Sequence, residues 1–168
     1  MIKAIDRLIE LDEQETAKQR ERVEFMALMH AVIEALPDGL IVIDGDGKIV
    51  LFNETAELMF GYHRSEMIGE PVEKLIPERV RARHVHDREM YTRYSVNERA
   101  RTMGVGLNLV GVHRDGHEFL TEITLARMVV PKGVFILSSI RFSPRGTVPK
   151  EDEPSPPEPQ IEDPHDGQ

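Results

Sequence analysis

The pattern of apolar and polar positions divides this chain into a helical start, a middle of short alternating segments and a polar end. Residues 2–35 contain no glycine or proline and are rich in residues that favour helices, so they predict a largely helical segment. Its heptad seam is apolar at both ends but carries Asp12, Thr16 and Gln19 in the middle, which predicts a break or two helices. Two interpretations stay open: a helix packed on the following domain, or a helix that dimerises or binds a partner.

The middle of the chain begins with two apolar runs, residues 40–43 and 48–52, whose composition is typical of β-strands. They flank the tetrapeptide DGDG at residues 44–47, whose glycines permit the positive φ that tight turns need. This stretch therefore predicts an antiparallel hairpin.

Two short helices are predicted directly after the hairpin. Asn53 stands where a helix N-cap belongs, and an apolar stripe that includes Ala56 then ends at Gly61. Ser65 is expected to cap the second of these helices, and Gly69 is expected to close it.

A longer helix is predicted from Pro77 to about Tyr94, because proline is favoured in the first turn of a helix and a carboxylate follows it there. Positions at intervals of three and four share one face of a helix. The face expected to point inward comprises Val80, His84, Asp87, Tyr91 and Tyr94. His84, rather than His86, should therefore face the rest of the domain.

Three β-rich segments follow and complete a predicted antiparallel sheet of five strands. Residues 103–113 alternate between apolar positions and small or polar ones, which predicts a strand with one buried face. Glycine-containing turns are predicted at residues 114–116 and 131–133. The inward positions of these segments are expected to be Met103, Val105, Leu107, Leu109, Phe119, Ile123, Leu125, Val134, Ile136 and Ile140. The predicted fold class is thus α+β.

Charge and composition set the limits of the domain and disfavour several partners. The formal net charge is −9, and residues 146–168 hold seven acidic residues against one lysine. Because this end is also rich in proline, it is expected to be disordered. We therefore expect a flanking helix at 1–35, one domain at 36–145 and an acidic tail at 146–168. The charge disfavours nucleic-acid binding, and no apolar run reaches the roughly 20 residues of a membrane span, so a cytoplasmic protein is expected.

Motifs that mimic catalytic or metal sites fail on their spacing. Residues 113–115 read HRD like a kinase triplet, but Leu120 stands where asparagine should follow and no phosphate loop precedes it. The DGDG turn lacks the last carboxylate of a calcium loop, because Thr55 occupies that position. His84 and His86 diverge by about 200° on a helix and cannot share one ion. The chain contains no cysteine, and we predict no enzymatic activity.

Three ordered motifs in the middle of the chain resemble the core signature of PAS domains, the small α/β sensor modules of signalling proteins. They are D-G-x-I-V-x-x-N from residue 46, E-x-M-F-G-Y from residue 57 and S-E-M-I-G from residue 65. The resemblance implies a PAS fold, with a ligand pocket between the longer helix and the sheet. The residues expected to line that pocket are His84, Asp87, Tyr91, Met103, Val105, Leu107, Ile123, Leu125, Ile136 and Ser138.

A second likeness concerns the start of the longer helix, where residues 77–84 read PERVRARH. This run is similar to the ligand helix of oxygen-sensing haem PAS domains of bacterial histidine kinases, whose closing histidine binds the haem iron. The likeness implies that His84 is the axial ligand of haem b, with Asp87 orienting its ring. Arg81 or Arg83 would then pair with the haem propionates.

The distal side of this expected haem differs from that family. The distal arginine that hydrogen-bonds oxygen falls at Leu107 in this sequence, and the distal methionine of related sensors falls at Val105. The expected distal wall is therefore apolar, which favours carbon monoxide or nitric oxide over dioxygen.

The sequence carries no effector segment before the first helix or after the last strand, so we expect a stand-alone PAS sensor or adaptor. It would signal through protein contacts that a ligand modulates. Two alternatives stay open: a haem b gas sensor with His84 as axial ligand, and a ligand-free PAS dimerisation module. The expected partner is a second copy or another protein, bound through the N-terminal helix. The stripe expected to make this contact comprises Ile2, Ile5, Leu8 and Ile9.

Overall fold

The computed structural model describes residues 2–94, 101–103 and 109–143. Within these ranges, side chains are described for residues 7, 12–93 and 109–143. The expected tail, the expected helix stripe at residues 2–9 and the expected pocket side chains Met103, Val105 and Leu107 therefore lie outside the described side chains.

Helix α1 is one continuous helix, Ile2–Ala35, so the predicted break is wrong. Its middle carries polar residues at the heptad seam but no glycine or proline, and exposed polar side chains leave the backbone hydrogen bonds of a helix intact. Side chains 12–28 of α1 are all exposed, and partial burial begins only in its last two turns. The described part of this helix is therefore not packed along the sheet.

The predicted hairpin is confirmed and opens the sheet. Strands β1, Gly39–Ile43, and β2, Ile49–Phe52, pair antiparallel. The carboxylate of Asp44 accepts hydrogen bonds from two backbone N–H groups of the turn, at 3.0 and 2.9 Å. Gly47 adopts a φ of 83°, which is strained for residues that carry a Cβ atom, so glycine is needed at this position.

Four further strands complete the sheet: β3, Arg101–Met103; β4, Leu109–Val112; β5, Glu118–Val130; and β6, Gly133–Phe142. The strand order is β2-β1-β6-β5-β3, and β4 also pairs with β5. β3 and β4 pair with different parts of β5, so they lie on the same side of it. The six strands of the described residues therefore occupy five places across the sheet. All these pairs are antiparallel, and the predicted α+β fold with a five-stranded sheet is confirmed.

The segment between β2 and β3 contains α2, Glu54–Phe60; α3, Arg64–Met67; a 3₁₀ turn, Val72–Leu75; and α4, Glu78–Tyr94. Asn53 caps α2 as predicted, since its side-chain oxygen accepts the N–H of Ala56 at 2.9 Å. The predicted cap of α3 is wrong. The cap is His63, because its ring accepts the N–H of Ser65 and the carboxylate of Glu66 accepts the N–H of His63.

The hydrophobic core lies between the sheet and the short helices. Three phenylalanines run through it, with ring centroids 6.3 Å apart for Phe52 and Phe60 and 5.2 Å apart for Phe60 and Phe119. The apolar stripe predicted on α2 is buried here. The buried core residues are Ile41, Ile43, Ile49, Phe52, Ala56, Met59, Phe60, Met67, Leu75, Phe119, Ile136 and Ile140.

Replacing Gly61 by alanine is expected to lower the free energy of unfolding by about 2 kcal/mol or more. Gly61 ends α2 with a φ of 75°, and an added Cβ would overlap the ring of His113. The matched control is Gly69→Ala, because Gly69 has a φ of 86° but nothing within 4 Å of an added Cβ. The control should show the backbone strain alone, about 1 kcal/mol. Urea unfolding measures both variants, and equal losses would contradict the predicted clash.

Candidate ligand site between α4 and the sheet

Helix α4 carries two residues that meet a carboxylate of the preceding 3₁₀ turn. His84 and Arg88 are four residues apart, so their side chains leave the same face of α4. Nδ1 of His84 lies 3.1 Å from Oε1 of Glu73, and Nε of Arg88 donates to the same oxygen at 3.0 Å. Glu73 is thus the centre of a three-residue cluster that joins α4 to the turn.

Hydrogen bonds, acting against burial, decide the charge state of Glu73. Glu73 is 7% exposed, and the side chain of Arg88 is 9% exposed. Burial is the strongest single influence on Glu73 and opposes its ionisation. Hydrogen bonds from Arg88, from the backbone N–H of Glu73 and from His84 nevertheless together hold the pKa of Glu73 below its ordinary value. Glu73 is therefore a carboxylate at neutral pH.

The ring of His84 is oriented by this carboxylate. A carboxylate at Nδ1 favours the tautomer that carries its hydrogen there, which leaves Nε2 as the nitrogen with a free electron pair. Asp87 was expected from the sequence to orient the ring, but in the structure Glu73 contacts Nδ1 of His84. Asp87 is exposed instead, and its Oδ2 lies 3.7 Å from Nε of Arg83.

Two other arginines bond the ends of α4 to the rest of the domain. Nε of Arg81, one of the two arginines expected to face haem propionates, donates to the carbonyl of Ile76 at 2.9 Å. At the other end, Nε of Arg127 on β5 donates to the carbonyl of Thr92 at 3.3 Å. The sequence gives no signal for Arg127, because its partner is 35 residues away and no local pattern connects the two.

Tyr91 brings a hydroxyl into the interior with no hydrogen-bond partner among the described residues. Its ring packs against the buried core, as do Ile123 and Leu125 of β5. Ser138 lies opposite Leu125 in the register of β5 and β6, and Ile136 is 3% exposed. Buried tyrosine hydroxyls normally have a partner, so this group is an exception among the described residues.

The structure adds two residues to the expected site. Glu73 and Arg88 were missed because neither belongs to an apolar periodicity. Glu73 lies eleven residues before His84, and only the packing of the 3₁₀ turn against α4 makes it buried. For Met103, Val105 and Leu107, the expected positions in the pocket stay predictions.

A surface groove of about 450 Å³ lies elsewhere, where α1 joins β1. Its lining includes Asp38, Met59 and Phe142, and it contains none of the residues expected in the ligand pocket. The groove and the site at α4 are therefore separate features of the described residues.

Comparison with protein families defines the class of protein. A family model described as the PAS fold matches residues 27–142, which is more than half of the chain, and the chain belongs to this family. It is similar to the sensor protein FixL of Bradyrhizobium diazoefficiens, with 36% identity over 101 residues, 60% of this chain and 19% of FixL. It is also similar to the oxygen sensor protein DosP of Escherichia coli, with 29% identity over 107 residues, 61% of this chain and 12% of DosP. The chain thus spans less than a fifth of the length of either relative.

A solved structure agrees with this fold. The PAS domain of an HTR-like protein from Haloarcula marismortui is similar, with a TM-score of 0.62 and 20% identity, over 76% of this chain and 99% of that one. The predicted PAS resemblance is confirmed, and the chain is a PAS sensory domain related to sensor proteins of signal transduction. PAS domains are generally not catalytic, and they commonly dimerise and bind small ligands. Among the helices within the described ranges, none combines the length and the apolar character needed to cross a bilayer.

Proposed function

We propose that this PAS domain is a cytoplasmic sensory and adaptor module, in which a small molecule bound beside Tyr91 changes the contact of α1 with a protein. The observation that carries the proposal is an apolar stripe on α1, formed by Phe25, Leu28 and Val32. Their spacing of i, i+3 and i+7 puts them on one face of the helix. Their exposed fractions are 58%, 57% and 46%, so this α1 stripe is open to a partner.

The end of α1 is bonded to the domain, which supports a mechanical link between the two. Nδ2 of Asn53 donates to the carbonyl of Ile33 at 3.2 Å. The carboxylate of Glu34 accepts hydrogen bonds from Nη1 of Arg64 at 2.6 Å and from the N–H of Glu54 at 2.7 Å. The hydrogen bond from Arg64 holds the pKa of Glu34 below its ordinary value, so both partners are charged at neutral pH. A shift of α2 or α3 would therefore act on α1.

The ligand part of the proposal rests on the interior around Tyr91. Tyr91 carries an unpartnered hydroxyl and, like Ile123 and Leu125, packs against the apolar core, and this setting fits a mostly apolar molecule with at least one polar atom. Such a molecule would contact β5, which pairs with β6, which in turn pairs with β1. At the start of β1, the N–H of Leu40 donates to Oδ1 of Asn53 at 2.8 Å. The sheet would thus connect the proposed ligand site to Asn53, one of the residues bonded to the end of α1. The proposal requires binding and contact, and no catalytic step.

We expect a second copy of the chain to bind the α1 stripe, because identical apolar stripes can bury each other about a two-fold axis. Light scattering should give a dimer mass for the full chain and a monomer mass for Phe25→Glu with Leu28→Glu. Burial of each large apolar side chain contributes about 1.5–3 kcal/mol, and two buried carboxylates reverse this gain.

The matched control for this experiment is Leu58→Glu. Leu58 lies on α2 and is 78% exposed, so this variant changes an exposed apolar residue that does not belong to the α1 stripe and should remain a dimer. A monomeric wild type would exclude self-association through α1. A stripe variant that stays dimeric would locate the interface elsewhere.

A second candidate function is a haem b gas sensor, and the contact between Glu73 and Nδ1 of His84 favours it. The residues present fit the proximal side of a haem, because a ring held by a carboxylate at Nδ1 offers Nε2 to a metal. His84 would hold the iron, Glu73 would orient the ring and Arg88 would keep Glu73 charged. Bound haem would supply an iron site for a diatomic gas. The similarity to the oxygen sensor protein DosP agrees with gas sensing.

Reconstitution with haem tests this candidate. Wild type and His86→Ala are expected to show a Soret band that survives gel filtration, and His84→Ala is expected to lose it. The haem affinity of Glu73→Gln should be at least about 10-fold lower than that of wild type, because loss of a group that orients a metal ligand typically has an effect of this size. No uptake by wild type, or uptake that persists in His84→Ala, would contradict haem ligation. Mass spectrometry of molecules released from the denatured protein then identifies any other ligand.

A further inference from the structure

The turn between β4 and β5 brings three metal-ligating side chains together within five residues. One ligand atom each of His113, Asp115 and His117 lies within 4.8 Å of the other two. Nδ1 of His113 is 2.9 Å from Oδ1 of Asp115, and Nδ1 of His117 is 2.6 Å from the same oxygen. The sequence pattern predicts only a hairpin turn here. The turn is present, but its side chains also converge.

The backbone of the turn holds these side chains in position. The N–H of His113 donates to the carbonyl of His117 at 2.9 Å, and Gly116 closes the turn with a φ of 94°. The N–H of His117 donates to Oδ1 of Asp115 at 3.1 Å. The two imidazole rings stack, with centroids 4.6 Å apart and planes inclined by 21°. The two stacked rings therefore lie side by side, and each directs Nδ1 to the same oxygen of Asp115.

His113 is also fixed by the end of α2. Its ring lies over Gly61, where an added Cβ would overlap Nε2, and its side chain is 25% exposed. The backbone N–H of Arg114 donates to the carbonyl of Phe60 at 2.8 Å, which bonds the turn to α2. Because Nε2 of His113 faces Gly61, Nδ1 is the nitrogen that His113 directs to Asp115.

We infer that His113, Asp115 and His117 form a binding site for a divalent transition-metal ion of the zinc, nickel or copper type. Two imidazole nitrogens and a carboxylate oxygen suit such ions, whereas magnesium and calcium prefer oxygen ligands throughout. With metal–ligand bonds of about 2.0–2.2 Å, neighbouring ligands of one ion are roughly 3 Å apart. Nδ1 of His113 and Nδ1 of His117 lie 2.9 and 2.6 Å from Oδ1 of Asp115. These side chains therefore need to move apart only slightly to admit the ion.

Exposure determines how this ion is held. The side chains of Asp115 and His117 are 62% and 58% exposed, so the ion enters from solvent and keeps water at its remaining positions. Bound metal would fix the ring of His113 over Gly61 and so clamp the turn against α2. The site is separate from the one at α4, and the inference stands independently of the proposed function.

Isothermal titration of the untagged full chain with Zn²⁺ tests the inference. Wild type should bind one equivalent of Zn²⁺. Asp115→Asn and His117→Gln should each lower the affinity for this ion at least tenfold. His86→Gln is the matched control, because it removes an exposed histidine of α4 and should leave this affinity unchanged. Mg²⁺ should not compete. Histidine ring resonances in NMR spectra should shift at residues 113 and 117 on addition of Zn²⁺.

Two results would overturn the site. The first is Zn²⁺ binding by Asp115→Asn and His117→Gln with wild-type affinity, which would assign the ion to other residues. The second is a wild type that takes up no Zn²⁺ in the titration. Both substituted side chains are exposed, and circular dichroism of each variant verifies that its fold is retained.

Discussion

Replacing Asn53 by alanine is expected to lower the free energy of unfolding by about 3 kcal/mol or more, although the substitution removes only a small polar group. Asn53 is 1% exposed and joins three elements through one amide. Its Oδ1 accepts the N–H of Leu40 at 2.8 Å and the N–H of Ala56 at 2.9 Å. Its Nδ2 donates to the carbonyls of Ile33 at 3.2 Å and Asp38 at 3.0 Å.

The size of this loss follows from the groups left behind. Leu40 and Ala56 are buried, so their N–H groups have no access to water once the amide oxygen is gone. A buried donor without a partner costs about 1–3 kcal/mol, and loss of a helix N-cap costs about 0.5–2 kcal/mol. The variant also removes one of the hydrogen bonds that hold the end of α1, whereas those of Glu34 to Glu54 and Arg64 remain. We therefore expect it to weaken the proposed coupling between the ligand site and α1.

Urea unfolding of three variants separates these contributions. Thr55→Val is the control, because it removes one hydrogen bond, from Oγ1 to the carbonyl of Leu36 at 3.0 Å, and should cost only about 0.5–1.5 kcal/mol. Asn53→Asp keeps the two accepted bonds but places a carboxylate oxygen against the carbonyls of Ile33 and Asp38, so it should be clearly less stable than wild type. If Asn53→Ala costs no more than Thr55→Val, the proposed role of Asn53 is wrong.

The second large effect is expected at Glu73, where replacement by alanine should destabilise the fold by about 3–5 kcal/mol. The reason is the charge of Arg88, whose side chain is 9% exposed and whose guanidinium lies against Gly47 as well as Glu73. Without the carboxylate, this cation stays buried and uncompensated. His84 also loses the partner that orients its ring.

A double variant tests whether the loss comes from the unpaired charge. Glu73→Leu combined with Arg88→Met replaces the pair by apolar side chains of similar size, which often restores stability. We expect the double variant to be more stable than Glu73→Leu alone, although it carries one more substitution. A double variant whose loss equals the sum of the two single losses would show that the side chains contribute independently.

Acid should reduce the advantage of wild type over Glu73→Gln. The pKa of Glu73 is lowered from its ordinary 4.5 in the folded state, so the unfolded chain binds a proton more readily. The contribution of Glu73 is therefore complete above pH 4.5 and is lost as the pH falls through the lowered value. Unfolding free energies at neutral pH and near pH 3 should show a smaller difference between wild type and variant in acid. A difference that stays constant would contradict an ionised, paired Glu73.

Local patterns in the sequence determined the elements of this domain. Some signals act over only a few residues and can be recognised without a structure. They are the DGDG turn, the cap at Asn53 and the proline at the start of α4. The same is true of the helical periodicity that put His84 on the face of α4 directed to the domain. Even here local inferences failed, since polar residues on the seam of α1 do not interrupt the helix and His63, not Ser65, caps α3.

Contacts between elements were decided only by the tertiary structure. Glu73 stands eleven residues before His84, and the amide of Asn53 reaches Ile33 across twenty residues. Neither contact follows from a periodicity, because a period reports which face a side chain occupies but not which group of another element meets it. Burial of Glu73 with Arg88 depends on how the 3₁₀ turn packs against α4. The convergence of His113 and His117 on one carboxylate depends on how the side chains of one turn pack. Packing fixes these distances, and with them the charge and hydrogen-bonding state of the groups that carry the proposed chemistry.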